Sequence, residues 1–155
     1  MPNQYMQIAI EAAKKGMESN SGGPFGAVIV RNGEVIAVAH NEVLATNDPT
    51  AHAEVVAIRR AAAKLGRFDL SDCEIHSTCE PCPMCQTAIH CAGIRKLYFG
   101  ADRHDAAVGG FDDDLIYRLA DGTADSPLLR PVIVDQKECA ELFNEWNAKS
   151  DRVMY

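Results

Sequence analysis

Ala27-Val28-Ile29-Val30-Arg31-Asn32-Gly33-Glu34-Val35-Ile36-Ala37-Val38 is the stretch from which the architecture follows. Two runs rich in β-branched residues flank Asn32-Gly33, the dipeptide that most readily takes the two positive φ angles of a tight hairpin. The stretch therefore predicts two antiparallel strands. On its N-terminal side, Met6, Ile8, Ile10, Ala13 and Met17 recur broadly at helical spacing over residues 3–19 and stop before Asn20-Ser21-Gly22-Gly23-Pro24. On its C-terminal side, residues 51–65 read as a helix with Val55, Val56, Ile58, Ala62 and Leu65 facing inward. Residues 73–78 then read as a strand, 83–92 as a helix and Arg95 to Gly100 as another strand. Helix, hairpin, helix, strand, helix, strand is the order of a layered α/β domain, with a mixed sheet and helices on both faces.

Beyond this alternation, Gly109-Gly110-Phe111-Asp112-Asp113-Asp114 reads as an ordered loop and Pro131-Val132-Ile133-Val134 as an added edge strand. Residues 136–149 read as a final helix carrying Leu142, Phe143 and Trp146, and Asp151 to Tyr155 has no internal reason to be ordered. One domain over residues 1–155 is expected, with a core to about residue 103 and a loop, strand, helix and tail over 104–155.

Composition narrows what such a domain does. The 155 residues are 47% hydrophobic and 24% charged, ordinary globular usage that excludes a disordered chain, a collagen-like repeat and a disulfide miniprotein. Fifteen Lys and Arg against 22 Asp and Glu leave a net charge of −7, with no electrostatic footprint for wrapping a nucleic-acid backbone. A small or neutral substrate fits better. No apolar run reaches the roughly 18 residues of a membrane helix, and Met1-Pro2-Asn3-Gln4-Tyr5 lacks the layout of a secretion signal. A cytoplasmic location is expected. Four of the six cysteines, Cys73, Cys79, Cys82 and Cys85, fall within 13 positions, a clustering that in a reducing compartment suggests metal binding or catalysis over bridges.

Two short motifs carry the chemistry: His52-Ala53-Glu54 and Pro81-Cys82-Pro83-Met84-Cys85. Alone, the second could be a redox pair and His52 a packed side chain. Together they form the zinc-deaminase signature H-x-E followed by P-C-x-x-C. Two thiolates and an imidazole give a tetrahedral zinc three ligands and leave the fourth position for water. Cys82 and Cys85, three apart, share one face of a helix start that also favours thiolates, and Pro81 and Pro83 suit such a start. Glu54, about 200° round the helix from His52, need not ligate and can shuttle protons. A redox reading leaves His52 and Glu54 without a role; deamination uses all four. Cys79 is a rival fourth ligand that would close the open position; as a packing residue it would sit buried at a strand end. Cys73, Cys91 and Cys139 read as packing residues, and His40, His76, His90 and His104 as structural or surface residues.

At these positions the sequence resembles the cytidine-deaminase-like zinc deaminases, and more narrowly their guanine deaminase branch. The resemblance runs along nearly the whole chain, through Gly22 to Val30, Asn47 to Glu54, Cys79 to Cys85 and Gly110-Phe111-Asp112-Asp113. The first three stretches are shared with tRNA adenosine deaminases; the Gly-Phe-Asp-Asp loop and the aromatic C-terminus point to the guanine branch. It implies a three-layer α/β/α fold with one zinc per subunit, held by His52, Cys82 and Cys85. Zinc-bound water would be the nucleophile that converts guanine to xanthine and ammonia, with Glu54 as proton shuttle and Asp113 assisting amine release. It further implies substrate contacts from Phe25, Asn41, Ala53, Pro81, Asp113 and Tyr155. It implies a homodimer with exchanged C-terminal segments, so that Asp113 and Tyr155 complete the other chain's pocket. His90-Cys91 stands where several bacterial guanine deaminases carry two aromatic residues. A roomier pocket at Cys91 would make guanosine a competing substrate. A tRNA adenosine deaminase and a non-catalytic zinc module are the other readings, opposed by the acidic charge and by Glu54 respectively.

Overall fold

A computed structural model describes residues 1–155, and its first half is built on the hairpin. Strands β1 (Gly26–Arg31) and β2 (Glu34–His40) pair antiparallel across Asn32 and Gly33, whose φ angles of 50° and 81° are the two positive values the turn requires. β3 (Cys73–Cys79) pairs antiparallel with β1, and β4 (Lys96–Ala101) pairs parallel with β3. The result is a mixed four-stranded sheet in the order β2-β1-β3-β4.

Alternation along β1 divides the core. Val28 and Val30 face helix α1 (Gln4–Glu18) through Ala9, whereas Ala27 and Ile29 face α3 (Ala53–Leu65) and the Ile89 side of α4 (Pro83–Cys91). Helix, sheet and helices thus form three layers. The inward helix faces are composed of smaller residues than the periodicity predicts. α1 buries Ala9, Ala12, Ala13 and Gly16 while Ile8 and Met17 stay exposed; α3 buries Ala53, Glu54, Val56, Ala57 and Ala61, with Ile58 and Leu65 only partly buried. Small residues let backbone approach backbone: a Cβ on Gly26 would stand 2.0 Å from the Ala9 carbonyl oxygen.

The chain continues through α5 (Arg103–Val108), α6 (Asp114–Ala120) and α7 (Gln136–Ala148), and the four-residue α2 (Val43–Thr46) precedes α3. The strand expected at Pro131–Val134 does not form. Val132, Ile133 and Val134 are 78%, 79% and 70% exposed and pair with nothing, because a strand exists only where a neighbouring edge completes its ladder. No residue after Ile94 is buried, and Leu142 and Phe143 of α7 face solvent. No helix is long and apolar enough to cross a membrane.

Candidate metal centre and pocket

His52 and Cys82 occupy equivalent places: each is the N-cap residue of a helix, extended in backbone, and neither side chain caps its helix with a hydrogen bond. Pro83 opens α4 at the position where a missing N–H costs least. The two helix starts converge, and Cys85 follows one turn into α4. His52 Nδ1 lies 3.6 Å from both Cys82 Sγ and Cys85 Sγ, and one ligand atom from each residue lies within 4.8 Å of the others. Tetrahedral zinc, with Zn–N near 2.05 Å and Zn–S near 2.3 Å, separates nitrogen from sulfur by about 3.6 Å. The donor set and its spacing fit zinc.

Left to themselves the two thiols share a proton. The Cys82 thiol is pulled down to about 4 by the hydrogen bond from Cys85 and then by His52, while the same Cys82 thiolate and burial push Cys85 well up. His52 is raised by its bond to Cys82. A cation placed between them displaces these protons. Cys79 stays outside the cluster; its Sγ points to the Asp102 carbonyl at 3.8 Å, and burial pushes its thiol up to about 11. The fourth corner is therefore not closed by protein sulfur.

Glu54 is 6% exposed, and burial raises its carboxyl above the ordinary range. Its Oε1 accepts a hydrogen bond of 2.9 Å from Ser77 on β3. His52, Glu54 and Cys82 border a cavity of about 500 Å³ whose other walls include Phe25, Asn41, Phe111, Asp113, Arg103 and Tyr117. Val43 donates its backbone N–H to Asn41 Oδ1 at 3.1 Å, which fixes the amide so that its NH2 group is the free end. Gly22 makes room for that arrangement, since a Cβ there would stand 2.0 Å from Asn41 Oδ1. Phe25 and Phe111 meet edge to face with centroids 4.9 Å apart. Asp113 enters at the start of α6, with burial and then the Cys82 charge raising its carboxyl.

Of the residues expected from the sequence, His52, Glu54, Cys82, Phe25, Asn41 and Asp113 border one cavity, Cys85 joins His52 and Cys82 in the triad behind it, and Asp113 reaches the cavity of its own chain. Ala53 and Pro81 are buried and do not border the cavity, Pro81 offering its carbonyl to the Tyr117 hydroxyl at 3.0 Å. Tyr155 is elsewhere: 96% exposed, it meets Phe68 edge to face at 6.2 Å, beyond the far end of α3. His90 and Cys91 lie exposed at the end of α4 and do not border the cavity, so a smaller side chain at Cys91 does not widen it within one chain. Ser77, Arg103 and Tyr117 were not singled out from the sequence. Arg103 stacks its guanidinium 4.6 Å over the Tyr117 ring, and burial and Glu80 push that phenol up to about 12.

Residues 1–101 match the family model described as the cytidine and deoxycytidylate deaminase zinc-binding region. The chain is 41% identical to the guanine deaminase of Bacillus subtilis over 151 residues, 97% of each protein. The crystal structure of that enzyme superposes with a TM-score of 0.93, covering 100% of this chain and 99% of the other at 40% identity. The tRNA-specific adenosine deaminase of Aquifex aeolicus is 40% identical over 110 residues, 70% of this chain and 72% of that one. A mutant of the protein NE0047 in complex with 8-azaguanine superposes with a TM-score of 0.67 at 34% identity, covering 70% of this chain and 63% of that one.

Proposed function

The chain belongs to the cytidine and deoxycytidylate deaminase zinc-binding family, and from that membership we propose that it hydrolyses guanine to xanthine and ammonia. The observation that carries the reading is a buried carboxylate, Glu54, bordering the same cavity as His52 and Cys82 of a His-Cys-Cys triad that it does not join. A purely structural metal site has no use for it. Similarity to a guanine deaminase over both halves of the chain supports the purine base as substrate, as does an 8-azaguanine complex of a related structure.

When bound, zinc supplies a Lewis acid that brings water to a reactive state near neutral pH. The chain's own residues do the rest. Glu54 takes a proton from the attacking water and returns it to the departing nitrogen, so that a C2–O bond forms, the C2–N bond breaks and nitrogen leaves as ammonia. Asn41 donates its amide NH2 to an acceptor on the ring, Phe25 and Phe111 hold the ring between apolar edges, and Asp113 receives the amine as it leaves. The six cysteines, all free, suit a reducing, cytoplasmic setting.

We propose also that two chains exchange their C-terminal segments. The exposed Val132–Val134, Leu142 and Phe143, and the uncovered Leu97, Tyr98 and Phe99 of edge strand β4, support it. In such a dimer Tyr155 reaches the partner's pocket while Asp113 serves its own.

Ammonia release from guanine, guanosine, adenine, cytidine and a tRNA anticodon arm tests the reaction. Turnover of guanine that Glu54→Ala abolishes is the expected result; turnover only of RNA, or guanine turnover that survives Glu54→Ala, overturns it. For the exchange, Glu54→Ala chains are mixed with chains lacking residues 150–155, each inactive alone. Activity regained on mixing is expected, and a fully active truncated monomer refutes the exchange.

A further inference from the structure

Along β3 the side chains of Cys73, Ile75, Ser77 and Cys79 alternate onto the face covered by α3 and α4, and all four are buried. Ser77 is the polar member of that stripe. At 1% exposure, paired in register with Ala27 on one side and Phe99 on the other, its hydroxyl has one side-chain partner, Glu54 Oε1 at 2.9 Å. Burying a hydroxyl among apolar neighbours is unfavourable unless the bond it makes compensates. An alanine would have fitted the stripe without that cost.

We propose that Ser77 is a positioning residue: by donating to Oε1 it fixes the rotation of the Glu54 carboxylate and leaves Oε2 as the oxygen that exchanges protons in the cavity. The inference rests on the role proposed above for Glu54. Several features make the contact more than packing. A carboxylate turns readily about its last side-chain bond, so one anchored oxygen is needed to present the other repeatedly in one place. Proton transfer requires the acceptor within hydrogen-bond reach in a fixed direction, and small misplacements are costly to turnover. The anchor itself is rigid, because it stands on a strand paired on both sides and not on a loop. Ser77 does not border the cavity and touches no substrate; it acts through Glu54.

Threonine and valine have the same shape and differ by the hydroxyl, so the test compares Ser77→Thr with Ser77→Val in the zinc-loaded enzyme, with Ser77→Ala as the smaller companion should the added methyl group impair folding. Steady-state turnover of guanine is measured together with zinc content and circular dichroism. Ser77→Thr is expected to keep kcat within about threefold, whereas Ser77→Val and Ser77→Ala lose about 10- to 100-fold in kcat at unchanged KM and full zinc. Equal kcat for Thr and Val, a kcat unchanged in Ala, or a loss confined to KM overturns the proposal. Glu54→Gln is assayed alongside: if it remains active, the shuttle reading itself fails. An inactive Glu54→Gln beside a fully active Ser77→Val refutes the positioning role alone.

Discussion

Residues 1–101 and residues 102–155 are built on opposite terms. Every buried residue precedes Arg95, and the first region closes its own core with three layers. The second has none; its Leu128, Val132, Ile133, Leu142 and Phe143 face solvent, and it touches the first chiefly by placing Phe111, Asp113 and Tyr117 around the cavity. The family model likewise ends at residue 101, while the Bacillus guanine deaminase aligns over 97% of the chain and so follows both regions. The metal ligands thus stand on the region that holds the buried core, and the second wall of the pocket arrives on a segment that buries none of its residues.

Substitutions can break or sharpen this contrast. The largest effect is expected within the first region at the metal: Cys85→Ser should empty the site of zinc and take guanine turnover to background, read by metal analysis and ammonia release. Retained zinc with activity would mean the triad is not the site. Next, Ile75→Ala, which opens a cavity beneath α3, should cost about 2–5 kcal/mol in urea unfolding. Phe143→Ala should change the stability of the dissociated chain by less than about 0.5 kcal/mol while weakening any dimer. Equal losses at the lowest protein concentration would erase the distinction between the regions.

Smaller still, Gly22→Ala should drive Asn41 from its place and lower kcat/KM by about 10- to 100-fold without loss of zinc. Unchanged kinetics would show that the pocket wall yields. The mildest effect concerns protons. The Cys82 thiol is lowered and the Cys85 thiol raised, so a metal must displace the proton of Cys85, and that of the raised His52 once protonated. Zinc affinity should therefore fall as pH falls, by about tenfold per pH unit near neutrality and more steeply once His52 is also protonated. Competition with a chelator across pH measures the slope; a flat profile would contradict the shared proton.

Much of the first region was legible because its signals are local. Asn32-Gly33 dictates a turn whatever surrounds it, and the spacing of Cys82 and Cys85 puts both sulfurs on one helix face. The buried faces of α1 and α3 were read less well: periodicity of large residues pointed to Ile8, Met17 and Val55, whereas close packing on the sheet selects alanine and glycine. The short helices α2, α5 and α6 left no periodic trace, although Asp102 and Asp105 form a capping box at the start of α5. Pro131–Val134 has the composition of a strand but pairs with neither edge of the sheet, β2 or β4, and composition alone does not show whether a partner edge is reached. Ser77 was invisible for a different reason, since its partner lies 23 positions away and the pairing exists only once the sheet is assembled.

The two helix starts that hold the imidazole and the first thiolate have a consequence for folding. A serine or aspartate at either N-cap would fasten its own first turn, by about 1 kcal/mol; His52 and Cys82 face each other and leave those turns unlatched. A metal ion held by both residues would fasten the two turns together. Demetallated protein should therefore loosen first at Ala53–Val56 and Pro83–Gln86, with amide exchange quickening there while β1 and β3 remain protected.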